Sequence, residues 1–94
     1  MVCDAALSEA AARYLRGALG DDAVMVMRAM WPFNGEDFAF FLKRVPGAMF
    51  TLGVANPEAG MNGVPHSPDF APDERALGVG ARAMAGFLAS RLAV

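Results

Sequence analysis

Residues 56–71 constrain the fold of this chain more than any other segment. They read Asn-Pro-Glu-Ala-Gly-Met-Asn-Gly-Val-Pro-His-Ser-Pro-Asp-Phe-Ala. Three prolines and two glycines in sixteen residues exclude continuous regular structure. Each proline lacks a backbone donor, and each glycine loses extra conformational freedom when ordered. A loop this long inside a compact unit is usually functional or mobile. Further breaks at Pro32 and at Pro46-Gly47 divide the rest of the chain into short elements.

Between these breaks the apolar spacing predicts an order α-β-α-β-α. Leu7, Ala11, Tyr14, Leu15 and Ala18 form one helical face after Asp4. Asp4 is placed to cap that helix and Gly20 to end it. Residues 23–30 are short, nearly all apolar and partly β-branched, which suits a strand buried on both faces. Residues 34–44 predict a second helix, with Phe38, Phe41, Leu42 and Val45 as its stripe and Asn34 as its N-cap. Glu36 and Asp37 in its first turn, and Lys43 and Arg44 in its last, suit the helix dipole. Residues 48–55 predict a second strand, in which Gly53 suggests a bulge or a close backbone approach. Pro72 is suited to open the last helix, whose buried face is predicted to be Leu77, Ala81, Met84, Leu88 and Leu92. Gly78 and Gly80 are expected to let that helix approach a sheet closely.

Composition narrows the class of partner. The 94 residues support one domain at most. A net charge of −2 and scattered basic residues argue against nucleic acid, which selects a basic stripe. No apolar run approaches the roughly 20 residues that span a membrane. The acidic N-terminus lacks the basic region of a signal peptide. The lone Cys3 excludes a disulfide framework within the chain and any cysteine-cluster metal site, and it fits a reducing cytoplasm. Hydrophobic residues make up 55% of the chain, which is high for so small a domain with so much unavoidable surface. Part of that apolar surface is expected to be covered by further chain, a second copy or a partner.

Candidate chemistry is sparse. His66 is the only histidine, and the prolines at 65 and 68 stiffen the backbone around it. One imidazole does not build a zinc site, which takes three or four protein ligands. The carboxylates Glu36, Asp37 and Glu74 are accounted for as partners of helix N-termini. The turn Asn34-Gly35-Glu36 opens a helix and offers backbone N–H groups to an anion such as a substrate carboxylate, as any helix start does. Ser67 adjoins the only base in sequence, which is not the geometry of a catalytic triad. Phe38, Phe40 and Phe41 read as core.

In order and spacing, however, several pieces resemble one family. These are residues 35–42 (Gly-Glu-Asp-Phe-Ala-Phe-Phe-Leu), residues 45–48 (Val-Pro-Gly-Ala), Leu52-Gly53-Val54, and His66-Ser67-Pro68 followed by Phe70, Glu74, Leu77 and Gly80. Together they are similar to the C-terminal stretch of the metal-dependent amidohydrolases of the hippurate hydrolase and indole-acetyl-amino-acid hydrolase type, relatives of aminoacylases and carboxypeptidase G. The resemblance runs from about Asp4 onward. It implies hydrolysis of N-acyl amino acids with a pair of divalent metals, typically zinc, manganese or nickel. It implies that His66 is the family's C-terminal metal ligand and that Asn34 and Gly35 face substrate. Glu36, Asp37 and Ser67 would then support the site or the local structure. Asn34 stands where the family usually has a small residue. The family's other ligands and its general-base glutamate come from upstream chain that is not among these 94 residues.

The resemblance implies an α/β fold, with residues 1–94 as a single unit. That unit would be an α-β-α-β-α fragment of a three-layer α/β/α zinc-exopeptidase-like catalytic domain without the family's lid domain. The expected function is the C-terminal portion of a cytoplasmic hydrolase of N-acyl amino acid amide bonds, inactive alone. Its metal would be bound by the complete enzyme rather than by this chain alone. The chain would associate with the rest of the catalytic domain or with further copies of itself. The alternative is a non-catalytic oligomerisation or partner-binding module derived from that fold.

Overall fold

A computed structural model describes residues 2–26, 36–63 and 65–92. The chain divides into two compact units, Met1–Phe50 and Thr51–Val94.

In the first unit, α1 (Ala5–Leu19) forms where the apolar face predicts it. The Asp4 carboxylate accepts the Leu7 amide at 2.8 Å, satisfying one of the donors that a helix start leaves unpaired. Ala11 is fully buried, Leu7, Tyr14 and Leu15 are half-buried, and Ala18 is exposed. Gly20 ends the helix at φ 103°, and its amide reaches the Arg16 carbonyl at 2.9 Å. A side chain is disfavoured at that φ, so glycine is suited to the position. A 3-10 turn follows at Asp21–Ala23. Val24 is extended, but Met25 and Val26 are exposed rather than buried on both faces. The remainder of the first expected strand lies outside the described residues.

The second helix is shorter than its sequence stripe suggests. α2 spans Phe38–Leu42 and closes through Lys43, Arg44 and Val45 amides bonded to the Phe40 and Phe41 carbonyls. Phe38 and Leu42 pack inward, against Gly47. A Cβ on Gly47 would lie 2.8 Å from Leu42 Cδ2 and 3.4 Å from Phe38 Cζ. Phe40 and Phe41, read as core, are instead 65% and 68% exposed, and Val45 is exposed too. A helix of about one and a half turns buries only one row of side chains, which explains the difference. Phe38 and Phe41 still meet, with ring centroids 6.3 Å apart, and the Lys43 ammonium sits 5.3 Å from the Phe40 ring. The Gly47 carbonyl accepts the Asp4 amide at 2.7 Å, joining the turn after α2 to the start of α1.

In the second unit, residues 51–55 run without ladder pairing. Among the described residues, β pairing is confined to one isolated antiparallel bridge, Asn56 with Met61. Extended chain acquires a ladder only when a second strand lies alongside it. Gly53 makes no close approach: a Cβ there would meet nothing within 4 Å. The last helix, α3, spans Arg75–Leu92. It starts three residues later than Pro72, because the Asp73 carboxylate captures the Arg75 amide at 2.9 Å and stands outside the helix as a cap.

The inward face of α3 is not the one its large side chains suggest. Ala76 and Phe87 are buried, and Val79, Gly80 and Ala83 between them are half-buried. The predicted face is the outward one: Leu77 is 72% exposed and Leu92 80%, and Ala81, Met84 and Leu88 are exposed as well. Small residues decide the matter, because they let the helix come close to its neighbour. A Cβ on Gly80 would lie 2.8 Å from Leu52 Cδ2, within the segment expected to be the second strand. Gly78 meets only the Arg82 side chain, at 3.4 Å.

Candidate functional site: the His66 loop

The second unit holds His66 at the far end of a loop that is closed in tiers. At its base the Asp73 amide donates to the Val54 carbonyl at 2.7 Å. Beside that bond, Asn56 Nδ2 donates to Asp73 Oδ2 at 3.0 Å, across 17 positions of sequence. Asn56 also exchanges both backbone bonds with Met61, at 2.7 and 2.9 Å. The residues between them make a 3-10 turn, Pro57–Ala59, ended by Gly60 in the left-handed conformation at φ 78°. Further out, the chain passes itself closely at Gly63, where a Cβ would lie 2.6 Å from the Asp69 carbonyl oxygen. Ser67 Oγ donates to Asp69 Oδ1 at 2.6 Å, and the Phe70 amide to the Ser67 carbonyl at 3.1 Å.

His66 is exposed and has φ 70°, the one positive φ of a non-glycine residue among the described residues. The left-handed region costs an ordinary residue roughly 1–2 kcal/mol. The closed loop around His66 offsets that cost and presents the imidazole to solvent.

Asp73 is the electrostatic centre of the loop base. Its carboxyl is held well below the ordinary carboxylate range, first by the Arg75 guanidinium hydrogen bonds and then by the Arg75 amide, with Asn56 adding to them. The ion pair is close, 2.6 Å from Arg75 Nη2 to Asp73 Oδ2, and Arg75 is correspondingly raised.

The other expected site residues are placed as follows. Asn34 and Gly35 lie outside the described residues. Glu36 is exposed, and its Oε1 accepts the Phe38 amide at 3.2 Å. Asp37 is exposed at the start of α2, where its carbonyl accepts the Phe40 amide and its side chain makes no capping bond. Glu36 and Asp37 belong to the first unit, His66 and Ser67 to the second. Among the described residues no three His, Cys, Asp or Glu side chains group so as to hold a metal. Sequence reasoning does not single out Asn56 and Asp73, since a hydrogen bond across 17 positions leaves no local spacing signal.

No family model and no solved structure matches the chain. Curated relatives do. An N-acetyldiaminopimelate deacetylase of Enterococcus faecalis is 45% identical over 67 residues, which is 71% of this chain and 16% of the relative. One from Lacticaseibacillus casei is 45% identical over 59 residues, 63% of this chain and 14% of the relative. One from Shouchella clausii is 38% identical over 88 residues, 94% of this chain and 21% of the relative. The chain thus spans about a fifth or less of the length of these relatives. It is similar to a C-terminal segment of an amidohydrolase. Within that class the likeness is to the hippurate hydrolase type, as the motif order implies. Among the described residues no helix is long and apolar enough to cross a membrane.

Proposed function

We propose that this chain is the C-terminal portion of a metal-dependent amidohydrolase acting on N-acyl amino acids, and that His66 supplies one metal ligand. The match to a deacetylase across 94% of the chain carries the reading. The names of those relatives specify an acetyl group on an amino acid, which lies within the same substrate class. Zinc, manganese or nickel would polarise the scissile carbonyl and activate water when bound. This chain's contribution is to present an imidazole on a braced loop, with Asn34 and Gly35 at the edge of the substrate pocket. Glu36, Asp37 and Ser67 support local structure. The remaining ligands and the general base lie outside these residues, so the chain is inactive alone. The α/β/α architecture and a cytoplasmic setting belong to the same proposal.

The test has two parts. Hippurate or an N-acetyl amino acid, supplied to the chain with zinc or manganese, is expected to remain intact. Turnover that His66→Ala abolishes would overturn the claim of inactivity. In the second part, the chain replaces the matching C-terminal segment of the Shouchella clausii relative. The fusion is expected to bind metal and to cleave an N-acetyl amino acid, with both properties lost in His66→Ala. Metal content that is unmoved by His66→Ala in a folded fusion would overturn the ligand role.

The outward row Leu77, Met84, Leu88 and Leu92 favours a second reading, a non-catalytic oligomerisation or partner-binding module. Large exposed apolar patches mark interaction surfaces. Sedimentation giving a stable monomer at all accessible concentrations would remove the oligomeric form of that reading.

A further inference from the structure

We infer that Asn56 and Asp73 are positioning residues for His66: their hydrogen bond clasps the base of the loop and thereby sets the backbone conformation from which the imidazole is presented. The inference rests on the proposed ligand role of His66 for its functional meaning.

Three observations converge on the clasp. Asn56 is a junction, bonded through its backbone to Met61 on the outgoing arm of the loop and through its side chain to Asp73 at the return. Asp73 is a second junction. Its amide holds Val54, and its carboxylate holds Asn56 and the start of α3 through Arg75. Between these junctions and His66 lies the close passage of Gly63 against Asp69, so the arms are brought together twice before the tip. His66 then adopts a positive φ that an unconstrained histidine rarely takes. Strain of this kind persists only where the surroundings over-determine it.

Asn56 is the cleaner of the two positions to probe, because removing its amide leaves the Asp73–Arg75 pair in place. In the 94-residue chain, Asn56→Ala is expected to abolish the positive-φ signature of His66 in its backbone coupling constant and Cα shift. It is also expected to speed amide exchange at Met61 and Asp73 about tenfold or more, as loss of a hydrogen bond to a charged group implies. Resonances of α1 and of α3 beyond its first turn should stay in place, which shows that the fold survives. The exchanged pair Asn56→Asp with Asp73→Asn restores a donor facing an acceptor and should return the His66 signature. An unchanged signature in Asn56→Ala overturns the inference, as does a failure of the exchanged pair to restore it while α3 remains folded. The metal content of the fusion is read separately. If His66 follows the clasp but the fusion keeps its metal without the imidazole, the ligand reading fails and the structural clasp stands.

Discussion

Gly63 passes so close to Asp69 that a Cβ on the glycine would stand 2.6 Å from a backbone carbonyl oxygen. Gly80 and Leu52 are nearly as crowded, at 2.8 Å, but the obstructing atom there is the end of a half-exposed side chain. Backbone does not give way as a side chain does. Gly63→Ala is therefore expected to destabilise the second unit by about 1–3 kcal/mol, as overpacking does. Gly80→Ala should be near neutral, since repacking of Leu52 opposes a helix-propensity gain of roughly 1 kcal/mol. Parallel urea titrations of the two variants check the order.

Gly17 lies inside α1 with open space where a Cβ would be. Gly17→Ala is expected to raise stability by about 0.5–1 kcal/mol, through reduced unfolded-state freedom and better helix propensity. A lower midpoint in thermal or urea unfolding would contradict it.

Asp4 both caps α1 and ties it to Gly47. Only the first role uses the side chain. Asp4→Ala is expected to lose about 1 kcal/mol, whereas Asp4→Ser should retain most of it, because a hydroxyl accepts the same amide. Helicity by circular dichroism, followed through unfolding, separates the two.

The folded-state pKa of Asp73 lies below its unfolded value, which is about 3.9 for an ordinary aspartate. The stability it contributes is therefore fully present above that ordinary value and is lost as pH falls below about 4 toward the folded pKa. Protection of the Arg75 and Asp73 amides from exchange, taken relative to an unstructured chain at the same pH, should fall in that window. Asp73→Asn should flatten the dependence, and an identical acid profile in the variant would assign it to other carboxylates.

His66 carries the strain of its own conformation. His66→Gly is expected to be more stable than His66→Ala by about 1 kcal/mol, because glycine takes a positive φ without steric conflict and alanine does not. Equal stabilities would mean that the loop relaxes when the imidazole is removed.

Local signals in the sequence determined the local features of this protein. Asp4 before an apolar face specified a capped helix, Gly20 its end and Pro46-Gly47 the end of the next, since each acts through bonds a few residues away. The density of proline and glycine in residues 56–71 specified a loop, and the motif order around His66 specified the kinship. Tertiary structure decided which faces turn inward. On α3 the large residues Leu77, Met84, Leu88 and Leu92 predicted one buried side, yet the row containing Ala76, Gly80 and Ala83 packs inward because small residues permit close approach. It likewise decided that Asp73 is a cap and a clasp rather than the first turn of a helix. That role depends on Val54 and Asn56, 17 and more positions away, and such a partnership exists only once the chain has folded back on itself.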